Sequence, residues 1–215
     1  MPVVAIALIF SNEVLLAQNK ITEGKIKFAI TFPKSKPGDK YLAMMPKEKI
    51  IYFKGGNSRT ESSTPMGNVI SLHFSKSGEN YTCVDRNGTK TAMKTTDQDM
   101  KEFKGRLGME KPLVKLTTET KKIAGINCKK TIVTYNNKDG KKVLDVWYTN
   151  EIVAPNSNDN FIEGIPGFMM EYTAVDKDET MLITCASVER IKVSDDLFKI
   201  PEGYTVKTMK EIMGQ

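Results

Sequence analysis

At 215 residues, with 40% hydrophobic and 27% charged side chains, the chain is long enough to bury one core and too polar for a multi-spanning membrane protein. A single histidine excludes a multi-histidine metal centre, and three cysteines without a C-x-x-C pair exclude the usual zinc patterns. The net charge of +6 is carried by scattered lysines rather than by a basic motif, so it reads as a solvated face and predicts no nucleic-acid partner.

Residues 1–18 read as a secretory signal segment. Apolar runs, Val3 to Phe10 and Val14 to Ala17, precede polar Gln18, Asn19 and Lys20, although the basic start of such signals is missing and Asn12-Glu13 interrupts the run. A buried strand or helix is the alternative. The run is short for a transmembrane helix, and no cysteine follows it to carry a lipid anchor. The expectation is therefore a mature chain, residues 19–215, forming a single β-rich domain in the periplasm or outside the cell, with no transmembrane segment.

After Asn19 short alternating segments recur with turn signals between them, the pattern of an antiparallel sheet. In Lys25–Phe32 the residues Ile26, Phe28, Ile30 and Phe32 share one face, and the other carries two lysines, an alanine and a threonine. Strands follow at Ile50–Lys54 and Val69–Phe74, separated by the Gly55-Gly56-Asn57 turn and a polar stretch through Ser62-Ser63-Thr64-Pro65. A two-residue turn at Ser77-Gly78 predicts Lys76 opposite Glu79 and Leu72 opposite Cys83. It also turns His73 away from Cys83, which disfavours a Cys–His nucleophile pair.

Thr96–Leu107 is the main helix candidate, with Thr96 or Asp97 as its cap and Met100, Phe103 and Leu107 on one face. Strands are then predicted over residues 123–135, 142–152, 167–175 and 181–193, with a short amphipathic tail over 206–213. A turn at Asp139-Gly140 predicts Lys138 opposite Lys141. It collects Val133, Tyr135, Leu144, Val146 and Tyr148 on one apolar face and leaves Ile132, Val143 and Trp147 on the other. Across a turn at Lys177-Asp178, Phe168, Met170 and Tyr172 face Ser187, Cys185 and Ile183. In IEGIPG, residues 162–167, Pro166 cannot donate to a ladder, and Gly164 and Gly167 permit a positive φ or a close backbone approach, so the segment reads as a corner delivering the chain into a strand.

The expected fold class is mainly β: a curved antiparallel sheet forming an open half-barrel, covered by one or two short helices. No P-loop, G-x-S-x-G or G-x-G-x-x-G occurs, and no catalytic residue, metal site or cofactor is predicted. Twelve methionines supply flexible thioethers that suit either core filling or lipid contact. Sequence leaves open which two of Cys83, Cys128 and Cys185 would pair in an oxidising compartment.

Gly125-Ile126-Asn127-Cys128-Lys129-Lys130, followed by Trp147-Tyr148-Thr149 and Gly164-Ile165-Pro166-Gly167-Phe168, resembles a family of secreted Bacteroidetes proteins with G-x-x-C-K-K and G-[IL]-P-G segments, similar to the GLPGLI family. Lys54–Arg59 and Phe198–Tyr204 also look like family positions. The resemblance implies a distant likeness to the LolA-type half-barrels of periplasmic lipoprotein carriers, which hold an acyl chain. The expected function is then a non-enzymatic exported protein binding a lipid or other hydrophobic small molecule, with Ile165, Phe168, Trp147 and Ile132 as ligand-binding candidates. The alternative is an envelope interaction or structural module with a protein partner, its concave face filled by its own helix.

Overall fold

The computed structural model describes residues 20–35, 40–106, 111–137, 140–155, 162–176 and 179–214. The expected signal segment, the turn residues Asp139, Lys177 and Asp178, and the helix end at Leu107 lie outside these. Twelve strands form one sheet: β1 Glu23–Thr31, β2 Glu48–Lys54, β3 Asn57–Thr64, β4 Gly67–Phe74, β5 Glu79–Arg86, β6 Thr89–Thr96, β7 Leu113–Ile123, β8 Ile126–Asn137, β9 Gly140–Thr149, β10 Phe168–Asp176, β11 Glu179–Glu189 and β12 Thr205–Thr208. The helices are α1 Lys40–Ala43, α2 Asp97–Arg106 and α3 Met209–Met213, with a 3-10 turn at Asp195–Phe198. The strand order is β12-β6-β5-β4-β3-β2-β1-β11-β10-β9-β8-β7, so the sheet is curved and unclosed, an open half-barrel.

Two meanders flank β1, and local chemistry sets their turns. Gly55-Gly56, Asn87-Gly88 and Ala124-Gly125 each place two successive residues at positive φ, the requirement of a tight hairpin whose twist matches the strands. The last of these divides the segment expected as one strand over 123–135. Ile123 ends β7 and Ile126 opens β8.

The Ser77-Gly78 hairpin is longer than expected. The Gly78 amide donates to the Phe74 carbonyl at 2.9 Å across a four-residue loop, so Phe74 pairs with Glu79 and Leu72 with Tyr81. The β8–β9 ladder is shifted by the same amount, with Asn137 opposite Gly140 and Val133 opposite Leu144. Because side chains alternate with period two, a two-residue shift keeps every residue on its expected face. At the β10–β11 hairpin Tyr172 stands opposite Ile183, in the expected register.

The apolar side chains switch faces between the two halves of the sheet. Following the pairing from β1 outward, Ile26, Phe28, Ile51, Phe53, Ile183, Tyr172, Val146 and Val133 share one face and form a single apolar core with Phe168, Met169 and Met170. Phe28 and Phe168 meet at 6.2 Å between ring centroids. Lys49 on β2 donates to the Tyr172 hydroxyl on β10 at 2.5 Å, three strands away, so this face lines the inside of the curve. Across β3–β6 the inner face turns polar but stays buried at Ser58, Thr60, Asn80 and Thr95, and the apolar side chains Leu72, Cys83 and Ala92 are buried on the outer face, beside the returning C-terminal segment with Val193 and Phe198.

That return is held by charge. Arg59 bridges the Glu61 carboxylate at 2.6 Å and the Leu197 carbonyl at 3.1 Å; Lys54 donates to the Val193 carbonyl and pairs with Asp195; Glu23 accepts from the Val193 amide. Ser194 caps the 3-10 turn by accepting from the Asp196 amide. The helix over 97–106 starts with reciprocal bonds between Thr96 and Asp99 and packs against β6, while α3 packs on β6 and β12.

Candidate functional site

The corner at IEGIPG places two of the expected ligand-binding residues. Gly164 has φ +97°, and a Cβ at Gly167 would strike the Thr149 carbonyl, so both glycines are required by backbone geometry. Beyond the corner Phe168 enters the inner core against Phe28, and Ile165 packs against that core half-buried. The other two lie on the outer face of the same half. Ile132 is flanked by Lys115 and Asp145, and Trp147 by Lys130 and Glu171. Lys121 lies 4.3 Å over the Trp147 ring and is anchored 2.7 Å from Glu171, so the indole is one layer of a charged surface stack. Strand register therefore sets Ile132 and Trp147 side by side on the outer face, while Trp147 and Ile165 both pack against the core cluster that contains Phe168.

The inner face is continuous from the apolar half into β3–β6, and there its chemistry changes. In successive columns it presents Lys49, Ile51 and Phe53 on β2, then Ser62, Thr60 and Ser58 on β3, Val69, Ser71 and His73 on β4, and Val84, Thr82 and Asn80 on β5. None of these is acidic. The seam between apolar and hydroxyl-bearing columns runs between β2 and β3, where Ile51 pairs with Thr60 and Phe53 with Ser58.

Most polar groups here are satisfied. His73 Nδ1 donates to Asn80 Oδ1 at 2.7 Å, and Asn80 Nδ2 reaches Asp97 Oδ1 at 3.2 Å. The seam itself differs. Ser58 and Thr60 are 1% and 4% exposed, and neither hydroxyl has a hydrogen-bond partner. Each unmet buried hydroxyl costs about 1–3 kcal/mol. Lys49, 7% exposed and opposite Ser62, is on the same face but reaches away from β3, its ammonium over the Phe28 and Tyr172 rings at 5.0 and 5.2 Å.

Sequence reading passed over these residues because Asn57–Thr64 looks like a polar spacer. Ser58, Thr60 and Ser62 alternate with Arg59 and Glu61, small polar against charged, so no apolar period marks the strand.

Cys83, Cys128 and Cys185 are all buried free thiols. Burial pushes Cys185 up to about 12, with Cys128 adding to the shift, and pushes Cys128 up to about 11. Burial also raises Cys83. Such thiols are poor nucleophiles near neutrality. His73 lies on the opposite face from Cys83. Among the described residues no group of three or more His, Cys, Asp or Glu side chains is placed to hold a metal ion, and no helix is long and apolar enough to cross a membrane.

No protein-family model and no curated protein sequence matches the chain. A solved structure of PNGF-II aligns with 89% of the chain at 18% identity and a TM-score of 0.53, and the chain spans about a third (31%) of that protein's length. LprF from Mycobacterium bovis aligns with 83% of this chain and 93% of its own at 10% identity, but its TM-score of 0.34 is too low to carry an argument. What the chain shares with PNGF-II at this identity is a fold, the curved open sheet described above.

Proposed function

We propose that the protein is an exported, non-enzymatic carrier or sensor that accepts a lipid or acyl chain on the inner face of its half-barrel, and that it is a relative of the GLPGLI-like secreted proteins its segments resemble. One observation carries the reading: a continuous inner face that is apolar over β1, β2 and β8–β11 and hydroxyl-lined over β3–β5. This arrangement suits a molecule with an apolar tail and a polar end. In the structure the apolar half is filled by its own side chains, so a tail enters by parting them. Met169 and Met170 at its centre are adaptable enough to repack around a guest. The alternative module would have its helix across the concave face. The helix over 97–106 follows β6 directly, and its first residue, Asp97, accepts from Asn80 of the inner face.

The resembling segments support a shared scaffold rather than a shared reaction centre. Lys54 and Arg59 of the first clamp the C-terminal segment that includes Phe198. Gly164 and Gly167 form the corner, and Lys130 pairs with Asp145 and Glu119 across neighbouring strands.

Native and denaturing mass spectra of protein purified from its export compartment test the proposal. The expected result is a discrete extra mass of lipid size in the native spectrum alone, identified after extraction. A bare polypeptide mass, together with failure to take up long-chain amphiphiles in vitro, would remove the carrier reading and leave an interaction module.

A further inference from the structure

We propose that the outer face of β7–β9, at the end where β7 begins, is a docking surface for an anionic lipid bilayer. The surface stands on its own geometry and extends the carrier reading by saying where the protein meets its lipid. Leu113 on β7 and Val143 on β9 are 65% and 54% exposed and lie in one row, with Thr134 of β8 between them. Lys115 follows Leu113 by two residues and Lys141 precedes Val143 by two, so a lysine flanks the apolar row on either side of the same face. Lys142 stands between Lys141 and Val143, opposite Tyr135. The same end of β7 touches the glycine corner: a Cβ on Gly164 would lie 3.2 Å from Val114, so the patch borders half-buried Ile165.

The carboxylates around the patch already have partners. Glu163 pairs with Lys111 at 2.5 Å, and Asp145 and Glu119 pair with Lys130 at 2.9 and 3.3 Å. Among the described residues Lys115, Lys141 and Lys142 form no ion pair, and all three are exposed. Apolar side chains bordered by uncompensated ammonium groups match a surface that holds anionic head groups over hydrocarbon: leucine and valine enter the head-group boundary, and the lysine stems reach the phosphates. A strand from another protein fits less well, because it would meet the register break between Leu116 and Thr120 and the lysines along β7.

Vesicle co-flotation tests the surface without a bound ligand. Phosphatidylcholine vesicles containing about one third phosphatidylglycerol are compared with phosphatidylcholine alone, at low salt and at about 0.5 M sodium chloride, where exposed charges are screened within about 4 Å. The wild type is expected to bind the anionic vesicles about tenfold or more tighter than the neutral ones and to lose most of that preference at high salt. Lys141→Gln combined with Lys142→Gln should weaken binding about twentyfold, and Leu113→Asn about fivefold; all three side chains are exposed, so the fold is kept. Val206→Thr combined with Lys207→Gln makes the same kinds of change on β12, the opposite edge of the sheet, and should shift affinity less than about threefold. A dye attached through Val143→Cys, the native thiols being buried, should shift to the blue on anionic vesicles. Equal binding to both vesicles, or a β12 variant as weak as those of β7 and β9, would overturn the surface. A dimer in sedimentation that Leu113→Asn dissociates, with vesicles ignored, would overturn it in favour of a second copy. Vesicle binding without uptake of long-chain amphiphiles would keep the surface and remove the carrier reading, and uptake without vesicle binding would do the reverse.

Discussion

The two halves of the sheet solve the same problem in opposite directions. Around β1 the apolar side chains point into the curve and meet their counterparts from β8–β11; across β3–β6 they point outward, where the C-terminal segment returns. A half-barrel that curls on itself supplies its own cover, because strands several positions apart approach across the concavity. Apolar side chains on the outer face have no such partner and need a separate piece of chain. In β3–β6 the inner face carries serine, threonine, histidine and asparagine instead, and Ser58, Thr60, Asn80 and Thr95 are buried there.

The largest expected effect falls on the self-covered half. Phe28 is fully buried against Phe168, and Phe28→Ala should cost about 3–5 kcal/mol in denaturant unfolding. If both halves belong to one cooperative unit, amide exchange should accelerate across β2–β6 as well as around β1. Acceleration confined to β1 and β8–β11 would mean that the halves unfold separately.

The segment-covered half should respond to its clamp. Arg59→Leu leaves the Leu197 carbonyl and the Glu61 carboxylate without their guanidinium. A loss of about 1.5–3 kcal/mol is expected, with faster exchange over residues 193–198 and β3–β5 and little change around β8–β11. An unchanged exchange pattern would show that Phe198 and Val193 hold the segment without help from charge.

The thiols give a gentler probe of the same comparison. Cys128 and Cys185 sit in the self-covered core, and burial raises both from an ordinary value near 9.0 to about 11 and about 12. A folded-state pKa above the unfolded one stabilises the protein fully below the unfolded value. Stability should therefore be constant up to about pH 9 and fall progressively between pH 9 and 12. Cys185→Ala should flatten that alkaline decline in urea titrations, although the cavity it leaves lowers stability at neutral pH; a decline of unchanged slope would place its origin elsewhere.

The smallest effect has the opposite sign. Thr60→Val at the seam should stabilise the ligand-free protein by about 1 kcal/mol in the same titrations. Destabilisation would show that the hydroxyl contributes to the ligand-free fold.

The free edges of the sheet differ as well. β12 is four residues long, whereas β7 runs for eleven and ends the sheet on the other side. Its pairing with β8 is broken between Leu116 and Thr120, and Lys115, Lys121 and Lys122 punctuate the strand. A register break and lysines both discourage edge-to-edge addition of another chain. Leu113, 65% exposed, and Val143, 54% exposed, lie in one row of the outer face with Thr134 between them.

The sequence determined the faces. The alternation in Lys25–Phe32, in 133–148 and in 168–185 fixed which side chains share a side of the sheet, and two hairpin registers displaced by two residues left those assignments intact because the pleat has period two. It also determined the corner at Gly164–Gly167, where backbone geometry admits only certain residues, and the helix start at Thr96, where the cap is local. It did not mark β3, β6 or β7 as strands. Their serines, threonines and lysines carry no apolar alternation, and what makes them strands is the ladder of a neighbour. Tertiary structure alone decided which side of each strand is covered, since burial depends on what lies across the curve or returns over it. For the same reason it alone brought Lys49 and Tyr172 together: residues of β2 and β10, far apart in the chain, meet only once the sheet has bent.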